Sequence, residues 1–536
     1  MTLETINFED TGFFTDLICD YLAEHPTINA FYNRYPSLES FEGQIQEKAD
    51  FDMERRRRLV AALETQYAET DASELTRDHI ALLANAKTFT ITTGHQLNLF
   101  TGPLYFLYKI ISVVKLTETL KERHPDYHFV PVYWMATEDH DFDEINFFNF
   151  NGKKFQWQGP KNEDEGGAVG RMPTLHLEEL EALFRAELGP GKNALYLAEL
   201  FKKAYLNHED LTSATRFLAN QLFAEKGLVI IDGDDAGLKR EFLPHMKADL
   251  LENRAYHEVT KTIEKLEGLS NNYKVQVNPR EINLFYLDKG VRDRVIFDGT
   301  AFGLADGTRK WSRSELISTL EEHPERFSPN VMLRPLYQEV ILPNLCYIGG
   351  GGELAYWLEL KSFFKASEVA FPMLLLRDSV LLMTGKQRKK LEKLHISLAQ
   401  LFLDEHSFIN RKVREISDIE IDLSEQRAHL VAQFSHMYEI AEKTDKSFLG
   451  AVKAQEVKQL KGLDHLEKRL LKAQKRKLSD QVARMMAIRN ELFPNESLQE
   501  RTINFAQFYK DYGSDLIDIL FENLDPLDQR FKVITL

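Results

Sequence analysis

The sequence predicts an α/β protein built on an open sheet, with two insertions and a long helical region. Three observations predict this. Strand-like apolar runs alternate with a helical stripe early in the chain. Two polar clusters, Thr93 to Pro103 and Thr137 to Glu144, directly follow such runs, so both belong at the carboxyl ends of strands, where open α/β sheets bind ligands. From Lys386 onward the composition turns charged and helical.

Residues 1 to 85 read mostly as helix. Leu59, Leu63 and Tyr67 recur every four residues beside Val60, which gives one apolar face, and the run Arg55-Arg56-Arg57-Arg58 before it reads as a solvated surface. Lys87-Thr88-Phe89-Thr90-Ile91-Thr92 reads as a strand. Pro103 suits the first turn of the next helix, with Thr101 as its cap. Leu104, Leu107, Tyr108, Ile111, Val114 and Leu116 supply that helix's buried stripe, and Phe129 to Met135 reads as the second strand. Strand, helix, strand with a glycine in the first turn is a βαβ unit.

After Glu144 the alternation stops, and residues 151–214 read as an insertion of Gly-rich turns and short helices. It resumes at Gly227-Leu228-Val229-Ile230-Ile231-Asp232-Gly233-Asp234-Asp235, a buried strand ending in a polar loop. Short strands at Asn283 to Leu287 and Val295 to Asp298 mark a second insertion, residues 281–330. The apolar run Leu345 to Ile348 leads into Gly349-Gly350-Gly351-Gly352-Glu353 and a helix from Leu354 to Phe364. Strand, glycine loop and helix start let backbone N–H groups face an anion. Phe371 to Met383 adds strand-like sequence. The core therefore divides into 1–150, 215–280 and 331–385, followed by a helical domain over 386–502 and a return to the core over 503–536. In the helical domain Leu471, Leu478, Met485 and Leu492 recur every seven residues, a short seam that can pair within the chain or between chains. The basic cluster from Lys468 to Lys477 reads as its solvated face, and Phe531 to Leu536 as a closing strand.

The chain has 536 residues, 43% of them hydrophobic, enough for a large core and more than one domain. With 67 basic and 83 acidic residues its net charge is -16, which argues against a general nucleic-acid binder. Two cysteines, Cys19 and Cys346, cannot build a Cys-rich zinc site and match no redox motif. Met-Thr-Leu-Glu-Thr lacks a signal-peptide pattern, and no apolar run approaches the ~20 residues of a membrane span. The expectation is a cytoplasmic protein with reduced thiols and no membrane or nucleic-acid partner.

In the first cluster, Gly94 allows close backbone approach, His95 beside a helix start can bond a phosphate, and Asn98 can bridge ligand hydroxyls or phosphates. The bland alternative is that His95 and Gln96 only cap the helix. In the second cluster, Asp139, His140 and Asp141 can bind Mg²⁺, act as general base or grip an amine. Adjacent residues cannot all face one site, and helix-capping acids are the plain alternative. Arg334 and Arg377 are candidate forks for carboxylate or phosphate. The glycine run lacks the Lys-Ser/Thr of a Walker A loop, and the turn after Thr92 lacks the dinucleotide fingerprint.

Taken together, these motifs resemble a known family. Thr93-Gly94-His95-Gln96 through Thr101-Gly102-Pro103-Leu104-Tyr105, with Lys109 following, resembles the signature of the bacillithiol-biosynthesis BshC family of cysteine ligases. Trp134 with Glu138 to Glu144, Ser328-Pro329-Asn330-Val331 with Leu333-Arg334-Pro335, and Gly349-Gly350 with Gly352-Glu353-Leu354-Ala355-Tyr356-Trp357 resemble its later motifs. The resemblance runs through the helical region to Tyr512-Gly513 and Asp515-Leu516-Ile517. The family often carries Gln where this chain has His95, and Pro where it has Gly351.

The resemblance implies a Rossmann-like core related to class I aminoacyl-tRNA synthetases, two connective insertions and a coiled-coil domain that dimerises the protein. It implies a carbon–nitrogen ligase that joins L-cysteine to glucosaminyl-malate, with ATP as cosubstrate, Mg²⁺ as a possible companion and the metal otherwise unknown. In that reading Gly94, His95, Gln96, Asn98, Gly102 and the loop Gly349, Gly350, Gly352 and Glu353 hold nucleotide or substrate. Asp139, His140 or Asp141 binds or deprotonates the amine, and Arg334 holds malate carboxylates. The synthetase KMSKS loop has no clear counterpart; Thr384-Gly385-Lys386 is the nearest sequence. Zinc is not evident, which leaves thiol selection open. Two other readings remain at this level: another nucleotidyltransferase of the same fold, and a dimeric nucleotide-binding scaffold.

Overall fold

The computed structural model describes residues 2–160, 167–270 and 272–536. Five strands build its central sheet: Thr88–His95 (β1), His128–Met135 (β2), Val229–Asp232 (β3), Asn344–Gly349 (β4) and Met373–Leu376 (β5). Their order is β3-β2-β1-β4-β5, and every neighbouring pair is parallel. The strands are buried almost throughout, which is why β2, β3 and β4 read as near-continuous apolar runs; β1 alternates threonines with Phe89 and Ile91 and buries the threonines as well. β1 and β2 pair over eight residues, from Thr88↔His128 to His95↔Met135, so the two polar clusters leave the sheet side by side. The strand order reverses between β1 and β4, the topological switch point of a Rossmann-like sheet.

The helix after β1, Tyr105–Arg123 (α1), packs on β1 and β2 and buries Phe106, Leu107, Ile110, Ile111 and Val114. Thr101 does not cap it. Phe100 and Thr101 both take positive φ, and the helix starts two residues after Pro103. The cause lies far away in sequence. Asn504 Nδ2 donates to the carbonyls of Phe100 (2.7 Å) and Gly102 (2.6 Å), and Leu104 N–H donates to Ile503 O (2.8 Å). Gly102 (φ 64°) is required there, because a Cβ would lie 2.6 Å from Asn98 Cβ.

Between β2 and β3 the chain forms the hairpin Phe147–Phe150/Lys153–Gln156 and the helices Glu178–Leu188, Lys192–Leu206 and Leu211–Phe223. Residues 161–166 of this stretch lie outside the described residues. Before β4 a separate antiparallel sheet of five strands spans Leu284 to Pro329. The helix expected from Leu354 to Phe364 is two helices, Gly351–Leu358 and Lys361–Ala366. They part where the buried Glu359 accepts a bond from Gln276 N–H (3.0 Å).

Three other expectations need correction. The N-terminal region opens with a strand, Thr2–Ile6, antiparallel to Phe531–Thr535, which also pairs in parallel with Val380–Met383. Arg56 is fully buried and donates to the carbonyls of Leu83, Ala86 and Thr88, so one of the four arginines is not a solvated surface. The seven-residue repeat is not one seam. Lys446–Lys477 and Ser479–Leu492 are separate helices that part at Leu478, and Met485 and Leu492 join the main core. Pairing within the helical domain instead joins Ser424–Ala441 to Lys446–Lys477 through Phe434, Ala441 and Val452.

Candidate active site

Between the carboxyl ends of β1 and β4, at the switch point, lies a cleft of about 640 Å³. β1 brings Gly94 and His95 to its wall, and Gln96 follows. β2 brings Trp134 and, after Ala136, Asp139. The loop after β4 brings Gly350, Gly351, Gly352 and Glu353, and the helix Arg334–Ile341 (α2) brings Arg334 at its first residue.

The sequence places Arg334 through a local device. Asn330 Oδ1 accepts from the N–H groups of Met332 (2.9 Å) and Leu333 (3.2 Å), and Pro335 suits the first turn. Asn330 Nδ2 donates to Asn283 Oδ1 (3.0 Å), which ties this helix start to the antiparallel sheet. Arg334 then donates to Asp139 Oδ1 at 3.3 Å. Burial pushes the Asp139 carboxyl up, but the guanidiniums of Arg334 and Arg292 outweigh it and hold it below its usual range.

The helix after the glycine loop is Gly351–Leu358 (α3). Glu353 is committed to structure within it. It accepts from Gly350 N–H (2.8 Å) and Tyr347 Oη (2.7 Å), and it pairs with Lys109 at 2.6 Å. Lys109 Nζ also donates to Gly94 O (2.6 Å), so one buried lysine of α1 ties the β1 turn to the β4 loop. Burial raises the Glu353 carboxyl, yet Lys109 and these donors keep it below its usual range.

His95 is buried, its Nε2 donates to Thr101 O (3.2 Å), and its ring packs against Tyr105 and Phe106. Burial first, and then the Lys109 ammonium, pushes its pKa down to about 3. His95 is therefore a neutral imidazole at neutral pH, and a charged contact to phosphate from this residue is not what the fold provides. The folded pKa lies below the unfolded value, so the unfolded chain takes up the proton first. Stability should fall as pH drops from ~6.5 toward that depressed value. Denaturant unfolding at several pH values should show this slope, reduced in His95→Gln; parallel curves for the two proteins would refute a buried neutral His95.

Several other sequence candidates stand outside the cleft wall. Asn98 donates to Glu144 O (3.4 Å) and packs on Gly102, while Gly349 fits between Tyr347 and Glu353. His140 and Asp141 are exposed and do not line the cleft. The ligand atoms of Asp139, His140 and Asp141 lie within 4.8 Å of one another, close enough for a cation. However, Arg292 donates to His140 Nδ1 and Arg334 to Asp139, so two guanidiniums already occupy that set.

Sequence reasoning assigned no role to Lys109, Tyr105, Tyr347, Gln276 or Arg501, all of which line the cleft. Lys109 did leave a signal, a lone cation inside an apolar helical stripe. Arg501 left none, because it lies at the very end of the segment read as helical, in a short turn after the last helix of that domain, and reaches the cleft only through tertiary contacts. Arg377 also lines the cleft, and its Nη2 donates to Glu500 Oε1 at 2.7 Å. The cleft wall carries four cationic side chains (Lys109, Arg334, Arg377, Arg501) against two carboxylates (Asp139, Glu353), in a protein of net charge -16.

Fold and site define a Rossmann-like α/β protein with a cationic cleft at its switch point, joined to a helical hairpin domain. Residues 1–378 match the model "Bacillithiol biosynthesis BshC, N-terminal Rossmann-like domain", and residues 380–536 match "Bacillithiol biosynthesis BshC, C-terminal coiled-coil domain". The chain belongs to the bacillithiol biosynthesis BshC family. It is 56% identical to the "Putative cysteine ligase BshC" of Christiangramia forsetii, over 100% of this chain and 99% of that one. It is 54% identical to the protein of the same name from Flavobacterium johnsoniae, over 100% of both. The one from Salinibacter ruber is 30% identical over 95% of this chain and 94% of its own. A solved structure titled as a "putative arginyl t-RNA synthetase" from Campylobacter jejuni aligns at 11% identity with a TM-score of 0.22, covering 83% of this chain and 96% of that one. At that score the fold assignment rests on the strand order and not on this likeness.

Proposed function

We propose that this protein is a carbon–nitrogen ligase that joins the carboxyl of L-cysteine to the amine of glucosaminyl-malate, forming bacillithiol at the expense of ATP. Family membership over the whole chain supports the cysteine-ligase reading. The observation that carries the ATP and malate parts is the excess of cations in the cleft of an acidic protein, at the sheet edge where Rossmann-like folds hold nucleotides. The residues present fit a phosphate group on two counts. Arg377 Nε is buried without a partner, and α3 begins at the glycine loop on the same wall. Mg²⁺ would accompany the phosphates.

In this reading the cysteine carboxylate attacks a phosphorus of ATP, expelling pyrophosphate to give an acyl-adenylate or ADP to give an acyl phosphate, and the amine then displaces AMP or phosphate from the acyl carbon. The ammonium of the acceptor must lose a proton before it attacks. Asp139, ionised and lining the cleft, is suited to bind that ammonium, and the proton passes to His140 or Asp141 beside it, because the guanidiniums that hold Asp139 below its usual range make it a weak base. Arg334 holds a malate carboxylate.

The protein works as a homodimer in this reading. Val431, Met437, Ile440, Phe448 and Leu449 of the helical hairpin are exposed apolar side chains suited to a second copy. Among the described residues no helix is long and apolar enough to cross a membrane, and the reaction is assigned to the cytoplasm, where thiols stay reduced.

Purified protein incubated with cysteine, glucosaminyl-malate, ATP and Mg²⁺ should yield bacillithiol and either AMP or ADP by mass spectrometry. The Asp139→Ala, His140→Ala double variant should lose the product. Folded wild-type protein that forms no amide under reducing conditions would refute the ligase reading and favour a nucleotide-binding scaffold.

A further inference from the structure

One buried donor that lines the cleft, Arg377 Nε, has no protein acceptor. Arg377 is 4% exposed, and its other nitrogens are spent. Nη2 donates to Glu500, while Nη1 donates to Asp378 O (2.8 Å) and Ser379 Oγ (3.2 Å). The free Nε lies 3.8 Å from where a Cβ on Gly350 would sit, so it faces the start of α3. Gly350 N–H is taken by Glu353, but the next N–H groups, of Gly351 and Gly352, are in the first turn and have no acceptor within the helix. Arg501 lines the same cleft. Lys109, Arg334 and Arg377 each have a carboxylate partner, whereas Arg501 makes no ion pair among the described residues.

We infer that the start of α3, Arg377 and Arg501 form a polyphosphate subsite, with Arg501 supplied by the segment that returns from the helical domain. The inference rests on the ligase reading and deepens it, by locating the phosphate tail of the nucleotide on the β4–β5 side of the switch point. The donors come from three chain segments and include two guanidiniums, more positive charge than one carboxylate balances. A pyrophosphoryl group has enough oxygens for all of them, and charge-assisted bonds from guanidinium and helix N–H groups suit it. The C-terminal return thereby completes a site that the Rossmann-like domain alone would leave one cation short.

Inorganic pyrophosphate, titrated calorimetrically into the full-length protein without cysteine or acceptor, tests this. Wild type should bind saturably. Arg501→Met, at an exposed position, should weaken binding by about tenfold or more. Arg377→Lys keeps a cation facing Glu500 and removes only the fork, so it should fold and weaken binding to a similar extent. Lys468→Met, in the solvated basic cluster, controls for general charge and should change nothing. Absence of saturable binding in wild type, unchanged affinity in Arg501→Met, or loss in that variant of L-malate binding instead of pyrophosphate binding would each overturn the subsite. Binding needs no turnover, so the two readings separate. Pyrophosphate binding that depends on Arg501, in a protein that makes no bacillithiol, keeps the subsite and rejects the ligase; the converse result does the opposite.

Discussion

Lys109→Met should be the most destabilising single change in the cleft, costing about 3–5 kcal/mol. Lys109 is 3% exposed and holds both Glu353, whose side chain is 27% exposed, and the Gly94 carbonyl, so removal leaves a partly desolvated carboxylate and an unmet acceptor together. Glu353 would then lose the cation that keeps its carboxyl ionised against burial, and the glycine loop would lose its tie to β1. Urea unfolding followed by tryptophan fluorescence measures the loss. The double variant Lys109→Met, Glu353→Gln should recover part of it, because the uncompensated charge is gone. A cost below about 1 kcal/mol, the scale of an exposed pair, would mean that this contact does not organise the site.

Arg334→Met should lower kcat/KM for glucosaminyl-malate by about 10²–10³-fold, the scale of a fork to carboxylate withdrawn from solvent. Arg334→Lys should keep charge but lose the fork, and fall about tenfold. The loss should be much smaller for an acceptor that lacks the malate carboxylates, because the part of the substrate that Arg334 holds is missing there. Steady-state kinetics with the two acceptors checks this. An equal loss for both would move Arg334 from substrate recognition to supporting Asp139, which it contacts at 3.3 Å.

Much of the central sheet was legible in the sequence. The strands at His128, Val229 and Asn344 are near-continuous apolar runs because both faces of a parallel sheet are covered, and the one at Thr88 shows instead by its β-branched and aromatic residues. The polar clusters that follow them fall at one sheet edge because each follows a strand of the same direction. The antiparallel strand Thr2–Ile6 was not legible: its partner is at the other end of the chain, and its alternation is too short to stand out. The seven-residue repeat misled because periodicity records which residues are apolar, not what buries them. Met485 and Leu492 meet the main core and not a second helix of a coiled coil.

For the site, the sequence located the segments but not the side chains that face inward. Gly94, His95, Gln96, Asp139, Arg334, Gly350, Gly352 and Glu353 line the cleft, whereas Asn98, Gly102, Gly349, His140 and Asp141 do not. The division within each run is a matter of backbone direction, which one-dimensional spacing does not carry.

What the sequence determined by itself was local: strand runs, helix stripes, and the ordered motifs that mark the family. What only the tertiary structure decided was how distant segments meet. Asn504 bends the Phe100–Gly102 turn, Glu353 is drawn onto Lys109, Arg56 disappears beneath backbone carbonyls, and Arg501 enters the cleft from the end of the helical domain. The physical reason is that propensity and periodicity act over a few residues. Satisfying buried donors, acceptors and charges is settled only when the chain has closed on itself, and here it closes through its last 40 or so residues.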